Sequence, residues 1–166
     1  PVAVHHALSS VKIYEDGYDT PKEFYGAVIE EAIGKASDMG ASIQCMAITD
    51  ESAYNGIATS SSAALDESIY HQGQCDRLVL VSAGNIQTPD VDHNNYIESC
   101  KANAVKSPAQ AWNALTVGAY TEKTIVGDES YKPLAAPGGI SPYSCSSYPW
   151  NEKRNKPEIV MEGGNV

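Results

Sequence analysis

The sequence predicts an α/β fold in three layers, a mainly parallel β-sheet flanked by helices, and three observations carry that prediction. Apolar runs alternate with stretches of helical periodicity in the order β-α-β-α-β, which implies right-handed crossovers and parallel strands. The run LVLV at residues 78–81 is unbroken, as expected for a strand covered on both faces. The length of 166 residues suits one core and is short for two.

Each element follows from local chemistry. Ser10-Val11-Lys12-Ile13-Tyr14 alternates and is β-branched, so it reads as a strand. Asp16-Gly17 then turns the chain. Thr20-Pro21-Lys22-Glu23 predicts a helix start: Thr20 caps, Pro21 fits the first helical position and Glu23 completes a capping box. Phe24, Val28, Ile29, Ala32, Ile33 and Ala36 recur at helical spacing until Gly40 stops the element. Residues 42–48, SIQCMAI, form the next strand. Small residues from Ala58 to Ala64 lead into a second helix through Leu65 and Ile69, which stops near Gly73. Residues 77–83 are a strand, residues 85–110 a loop with a short helix, and NALTVGAY at 113–120 a further strand. From Asp128 to Trp150 the abundance of Pro, Gly, Ser and Tyr predicts turns and short extended pieces. KPEIVMEGGNV closes the chain with a short strand and a Gly-Gly turn.

Composition excludes several classes. The chain is 42% hydrophobic and 19% charged, ordinary for a globular domain. No window approaches the roughly 20 apolar residues of a membrane span, so no membrane partner is expected. The net charge of -10 argues against nucleic acid, whose binding leans on clustered Lys and Arg. Cys45, Cys75, Cys100 and Cys145 lie far apart without zinc spacing and read as separate buried or half-buried thiols, with one disulfide left open. Asp90-x-Asp92-x-Asn94 opens like a calcium loop, but Asn95 stands where Gly is needed and Lys101 where a bidentate Glu belongs. His5-His6 reads as a surface pair and Asp50-Glu51 as solvated loop acids. Gly138-Gly139 and Gly163-Gly164 are turns without a phosphate-loop ending. No motif calls for a metal or cofactor. Pro1 is preceded by no Met and followed by no signal-peptide pattern, so the chain looks excised from a longer protein.

One question stays open: why LVLVSAGN, residues 78–85, ends its apolar run in two small residues, a glycine and an asparagine. In parallel sheets ligands gather beyond the strand carboxyl ends, and Asn85 lies at such an end. The octapeptide resembles the strand of subtilisin-like serine proteases, the subtilases, that ends in Ala-Gly-Asn. Other segments agree in order. HHALSSVKIYEDG is similar to the family strand after the catalytic-histidine helix, and FYGAVIEEAI to the helix that follows. QCMAITD resembles the strand carrying Asn-Met-Ser-Leu-Gly, and SSSAALDESI the next helix. ALTVGAYT is similar to Ile-Ala-Val-Gly-Ala, ISPYSCSS to Ala-x-Phe-Ser-Ser, and KPEIVMEGG to Lys-Pro-Asp-x-x-Ala-Pro-Gly.

The resemblance implies an incomplete subtilisin-like fold within a serine endopeptidase acting on a polypeptide by Ser-His-Asp acyl-enzyme chemistry. It implies that Asn85 is the oxyanion donor, an amide held where negative charge develops on the scissile carbonyl oxygen. Ala47, Ile48 and Thr49 match one wall of the pocket for the residue before the cut, and Ser82, Ala83 and Gly84 the other. Ala47 and Thr49 replace the family's Ser and Gly, and Glu162-Gly163 its Ala-Pro, which leaves pocket shape and specificity open.

The triad motifs Asp-Ser/Thr-Gly, His-Gly-Thr and Gly-Thr-Ser-x-Ala are missing from these residues. Residues 1–166 are thus expected to be the central portion of a subtilase catalytic domain, lacking the Asp/His part and the Ser-bearing part, and inactive alone. Apolar faces left uncovered predict self-association of the fragment. A catalytically dead subtilase-like domain that binds peptides or partners is the alternative. An unrelated nucleotide-binding domain lacks its Gly-rich turn, since Asp16-Gly17-Tyr18 is not one.

Overall fold

In the computed structural model, which describes residues 7–13, 26–50, 56–71, 73–128, 130–151 and 154–165, two neighbouring strands organise the rest. These are β1 (Ile43–Met46) and β4 (Leu78–Ser82), parallel, with Ile43 paired to Leu78 and Met46 to Val81. On the far side of β4 lies β5 (Leu115–Thr121), also parallel, and β5 in turn carries β7 (Ile159–Glu162) in parallel and β6 (Gly139–Ile140) in antiparallel pairing. The sheet is therefore mixed but mostly parallel, and β4 is an interior strand. Among the described residues three α-helices flank it: α1 (Gly26–Asp38), α2 (Ser60–Ile69) and α3 (Tyr96–Ala102). A short antiparallel hairpin, β2 (Tyr70–His71) with β3 (Gln74–Cys75), follows α2.

Helix boundaries have local causes. Gly40, at φ +83°, ends α1, and the Ala41 N–H donates back to Ala36 O at 3.0 Å, closing the last turn. Gln44 reaches from β1 to the same end, its amide donating to Ser37 Oγ at 3.0 Å. Thr59 caps α2, its Oγ1 accepting from the Ser62 N–H at 3.1 Å. That helix ends at Ile69, before the expected stop near Gly73, because Tyr70 enters the hairpin; Gly73, at φ +80°, serves the turn. The proposed cap of the first helix, Thr20 to Glu23, lies outside the described residues.

The principal core joins Ile29 and Ile33 of α1, Leu65 and Ile69 of α2, Met46 of β1, and Val79 and Val81 of β4. Full burial of side chains such as Ile29, Leu65, Val79 and Val81 stabilises by about 1.5–3 kcal/mol each. The expectation that β4 is covered on both faces needs correction. Only Val79 and Val81 are buried, while Leu78 is 42% exposed and Leu80 and Ser82 are half-buried. The helices α1 and α2 cover one face, and among the described residues the other stays partly open. A second cluster, Ile86, Val91, Cys100 and Cys145, lies beyond the end of β4.

The expected first strand also differs. Residues 10–13 form no ladder, although Val11 and Ile13 do turn inward and Ile13 packs on the principal core; Tyr14 lies outside the described residues. The apolar alternation thus seats the segment without a strand. No disulfide joins the four cysteines; Cys100 and Cys145 are buried and Cys45 and Cys75 exposed, so two of the four are not sheltered as expected. No helix among the described residues is long and apolar enough to cross a membrane.

Candidate active site

Parallel pairing sets where the candidate residues come together. Because β1 and β4 run side by side and end in register at Met46 and Val81, their continuations leave the same edge of the sheet as neighbours. Ala47, Ile48 and Thr49 continue β1, Ala47 exposed and the other two half-buried. Ser82 closes β4, and Ala83, 2% exposed, and Gly84 continue it into the interior.

The two continuations then part, and residues 106–107 cross between them. The Lys106 N–H donates to Ala83 O at 3.0 Å, and the Asp50 N–H donates to Ser107 O at 2.9 Å. Ser107 is fully buried, and its hydroxyl meets Thr59 Oγ1 at 2.6 Å, so the crossing segment is anchored to the cap of α2. Gly84 takes φ +100°, a left-handed conformation that favours glycine, and a Cβ there would lie 2.8 Å from the Lys106 side chain.

Asn85 comes next and is exposed, three residues past the end of an interior strand. Its backbone is held on both flanks. Asn85 pairs antiparallel with Ser144, the Ile86 N–H donates to Tyr143 O at 2.9 Å, and Ile86 is buried in the second cluster. Ser144 is itself buried, accepting from the Ala119 N–H at 3.0 Å. A fixed backbone on a packed base is what a preorganised amide donor requires.

Ser82, Ala83, Gly84 and Asn85 share a depression of about 250 Å³ with residues 117–119, Ser141, Tyr143, Ser144, Gly163 and Gly164. Its lining is small: Gly118 is so close to Pro157 that a Cβ would lie 2.5 Å from the proline Cγ. Ser141 Oγ donates to Gly164 O at 2.7 Å, and Asn165, buried, accepts from the Leu134 and Ala135 N–H groups, which fixes the Gly163-Gly164 rim. Ala47, Ile48 and Thr49 do not line this depression. Ala47 and Ile48 instead border a hollow of about 270 Å³ with residues of α1, β1 and the 8–13 segment.

Sequence reasoning missed Lys106 and Ser107, which sit between the two continuations, and gave the Gly163-Gly164 turn no place beside Asn85. The available signal was the concentration of small residues, Gly118 in the middle of the TVGA strand and Gly163-Gly164 after IVME. Among the described residues, no group of three or more His, Cys, Asp or Glu side chains could hold a metal ion. His5, His6 and Glu51 lie outside the described residues.

Comparison with known proteins agrees with this architecture. The family model described as Subtilase family, Peptidase_S8, matches residues 2–166. Among solved structures, the chain is similar to the prenylagaramide maturation protease PagA, at 19% identity and a TM-score of 0.53 over 89% of this chain. That likeness concerns the fold, and the chain spans 41% of that structure's length. No curated protein matches.

Proposed function

From the premise that this chain belongs to the subtilase family, we propose that it supplies the oxyanion-hole donor and pocket walls of a serine endopeptidase. The protein that carries it hydrolyses peptide bonds: a serine attacks the scissile carbonyl, a histidine takes the serine proton and returns it to the leaving amine, and an aspartate orients the histidine. Asn85 donates from its amide to the oxygen that becomes negative as the tetrahedral intermediate forms. Ala47, Ile48 and Thr49 flank the substrate on one side and Ser82, Ala83 and Gly84 on the other. The observation that carries this reading is the exposed Asn85 at the rim of a small-residue depression, beyond the carboxyl end of an interior parallel strand.

The motifs for nucleophile and base are missing from these 166 residues, and the serines nearest the site are poor candidates. Ser61 and Ser144 are 2% and 4% exposed, and Ser144 is occupied by the Ala119 N–H. The isolated chain is therefore inactive. A fluorophosphonate probe tests both statements. It should label the whole protein at a serine outside these residues, with labelling and peptide hydrolysis lost together. It should leave the isolated chain unlabelled. Stoichiometric labelling of Ser61 or Ser144, or an unlabelled and inactive whole protein, contradicts the reading.

A further inference from the structure

Two lysines are buried among the described residues, and they differ in purpose. Lys156 is held by Glu158, Ala114 O and Thr116 Oγ1, ahead of β7, and does not line the depression. Lys106, 8% exposed, stands at the candidate site. The β1–β4 ladder ends at Met46 and Val81, and the gap that opens beyond it is wide enough to admit Lys106-Ser107, bonded to Ala83 on one side and Asp50 on the other. The Lys106 stem runs along Gly84: a Cβ built there would lie 2.8 Å from Cγ, 2.9 Å from Cδ and 3.0 Å from Cβ of the lysine. The ammonium follows two bonds beyond Cδ, so covalent geometry keeps it close to the 82–84 wall.

We infer that Lys106 makes this pocket select an acidic side chain in the polypeptide residue before the cut. The inference rests on the proposed function, which makes the 47–49 and 82–84 segments the pocket walls. A positive charge on a lysine that is 8% exposed acts through a lower dielectric than water, so it attracts a carboxylate and repels a lysine or arginine more strongly than a surface charge does. Burying an acidic side chain elsewhere costs its hydration, and a nearby ammonium offsets that cost. Lys106 is also engaged within the protein, so selection rests on its charge and reach and not on a vacant ammonium. The rejection of cationic residues follows from the same charge and adds to the discrimination.

The test compares peptides that differ only at the residue before the cut, Glu, Gln, Leu or Lys, on the whole protein and on its Lys106→Met, Lys106→Gln and Lys106→Glu variants. The wild type should show kcat/KM for Glu about tenfold above Gln, the order expected of one partly desolvated ion pair. The Glu/Gln ratio should fall to about one in Lys106→Met and Lys106→Gln, and Lys106→Glu should turn the preference toward Lys. Should the variants not fold, the wild-type ratio and its decline with added salt decide the matter. Fluorophosphonate labelling with cleavage but no Glu preference, or a preference unchanged in Lys106→Met, overturns the role of Lys106 and leaves the peptidase reading intact. Absence of labelling and of cleavage of every peptide overturns that reading, and this inference with it.

Discussion

Asn85 and Ser144 pair as an antiparallel bridge, so the exposed residue beyond the end of β4 is held by a buried serine distant in sequence. The Ser144 hydroxyl accepts from the Ala119 N–H at 3.0 Å, which ties the bridge to β5. Replacing Ser144 with Ala leaves that N–H without its partner and should cost about 1–2 kcal/mol of stability. If the whole protein is the proposed peptidase, its turnover should fall while peptide affinity holds, and by less than on loss of the Asn85 amide. A denaturant midpoint equal to that of the wild type would separate the bridge from Ser144.

The thiols report the core. Cys45 and Cys75 are exposed and should react with a thiol reagent in the native chain, whereas Cys100 and Cys145 should react only on unfolding. Cys100 donates to Ser141 O at 3.5 Å, and burial pushes its thiol above the ordinary value of 9.0. The folded state thus holds this proton longer than the unfolded one, so the stability linked to it is complete below pH 9.0 and is lost as pH rises through the raised value. The stability difference between wild type and Cys100→Ala should hold up to pH 9.0 and shrink as pH rises above it through the raised value. A difference that stays constant or widens contradicts the assignment.

Much of the fold was legible because local patterns and tertiary context agree there. Gly40 ends α1 as its place in the sequence predicts, and the runs through Ile43, Leu78 and Leu115 each become a parallel strand. The 10–13 segment was less legible: apolar alternation guarantees an inward face but not a hydrogen-bonded partner. Continuous apolarity misled at β4, where Leu78 is apolar yet 42% exposed. At the site, Asn85 was readable as the end of an apolar run. Its support from Ser144, and the passage of Lys106 beside Gly84, join residues far apart in the chain by backbone hydrogen bonds, which residue type does not encode.

Lys156 and Glu158 fasten β7 to β5. The lysine side chain is 1% exposed, with Nζ 2.6 Å from Glu158 Oε1, 2.9 Å from Ala114 O and 3.0 Å from Thr116 Oγ1, while Glu158 Oε2 accepts from the Thr116 N–H at 2.7 Å. Burial lowers the Lys156 pKa, and Glu158 opposes that shift. Glu158→Gln leaves a buried ammonium poorly compensated and should destabilise by about 2 kcal/mol, less than for a fully enclosed pair because Glu158 is partly hydrated. Lys156→Met should be milder, since it removes the buried charge itself. Thermal unfolding of both variants checks the order, and a milder Glu158→Gln would contradict it.

The isolated chain should self-associate. All four residues of β7 are exposed, including Val160 at 48% and Met161 at 62%, which leaves apolar surface on a strand. Light scattering should show mass rising with concentration, and Met161→Lys should reduce the effect. A clean monomer at high concentration contradicts it.

The central claim is that the Asn85 amide serves the transition state, and the most direct measurement is steady-state kinetics of Asn85→Ala in the whole protein. The account predicts a fall in kcat of about 10²–10³, a magnitude known from subtilisin itself and carried over from it, with KM little changed. An unchanged kcat, or a loss confined to KM, would contradict it.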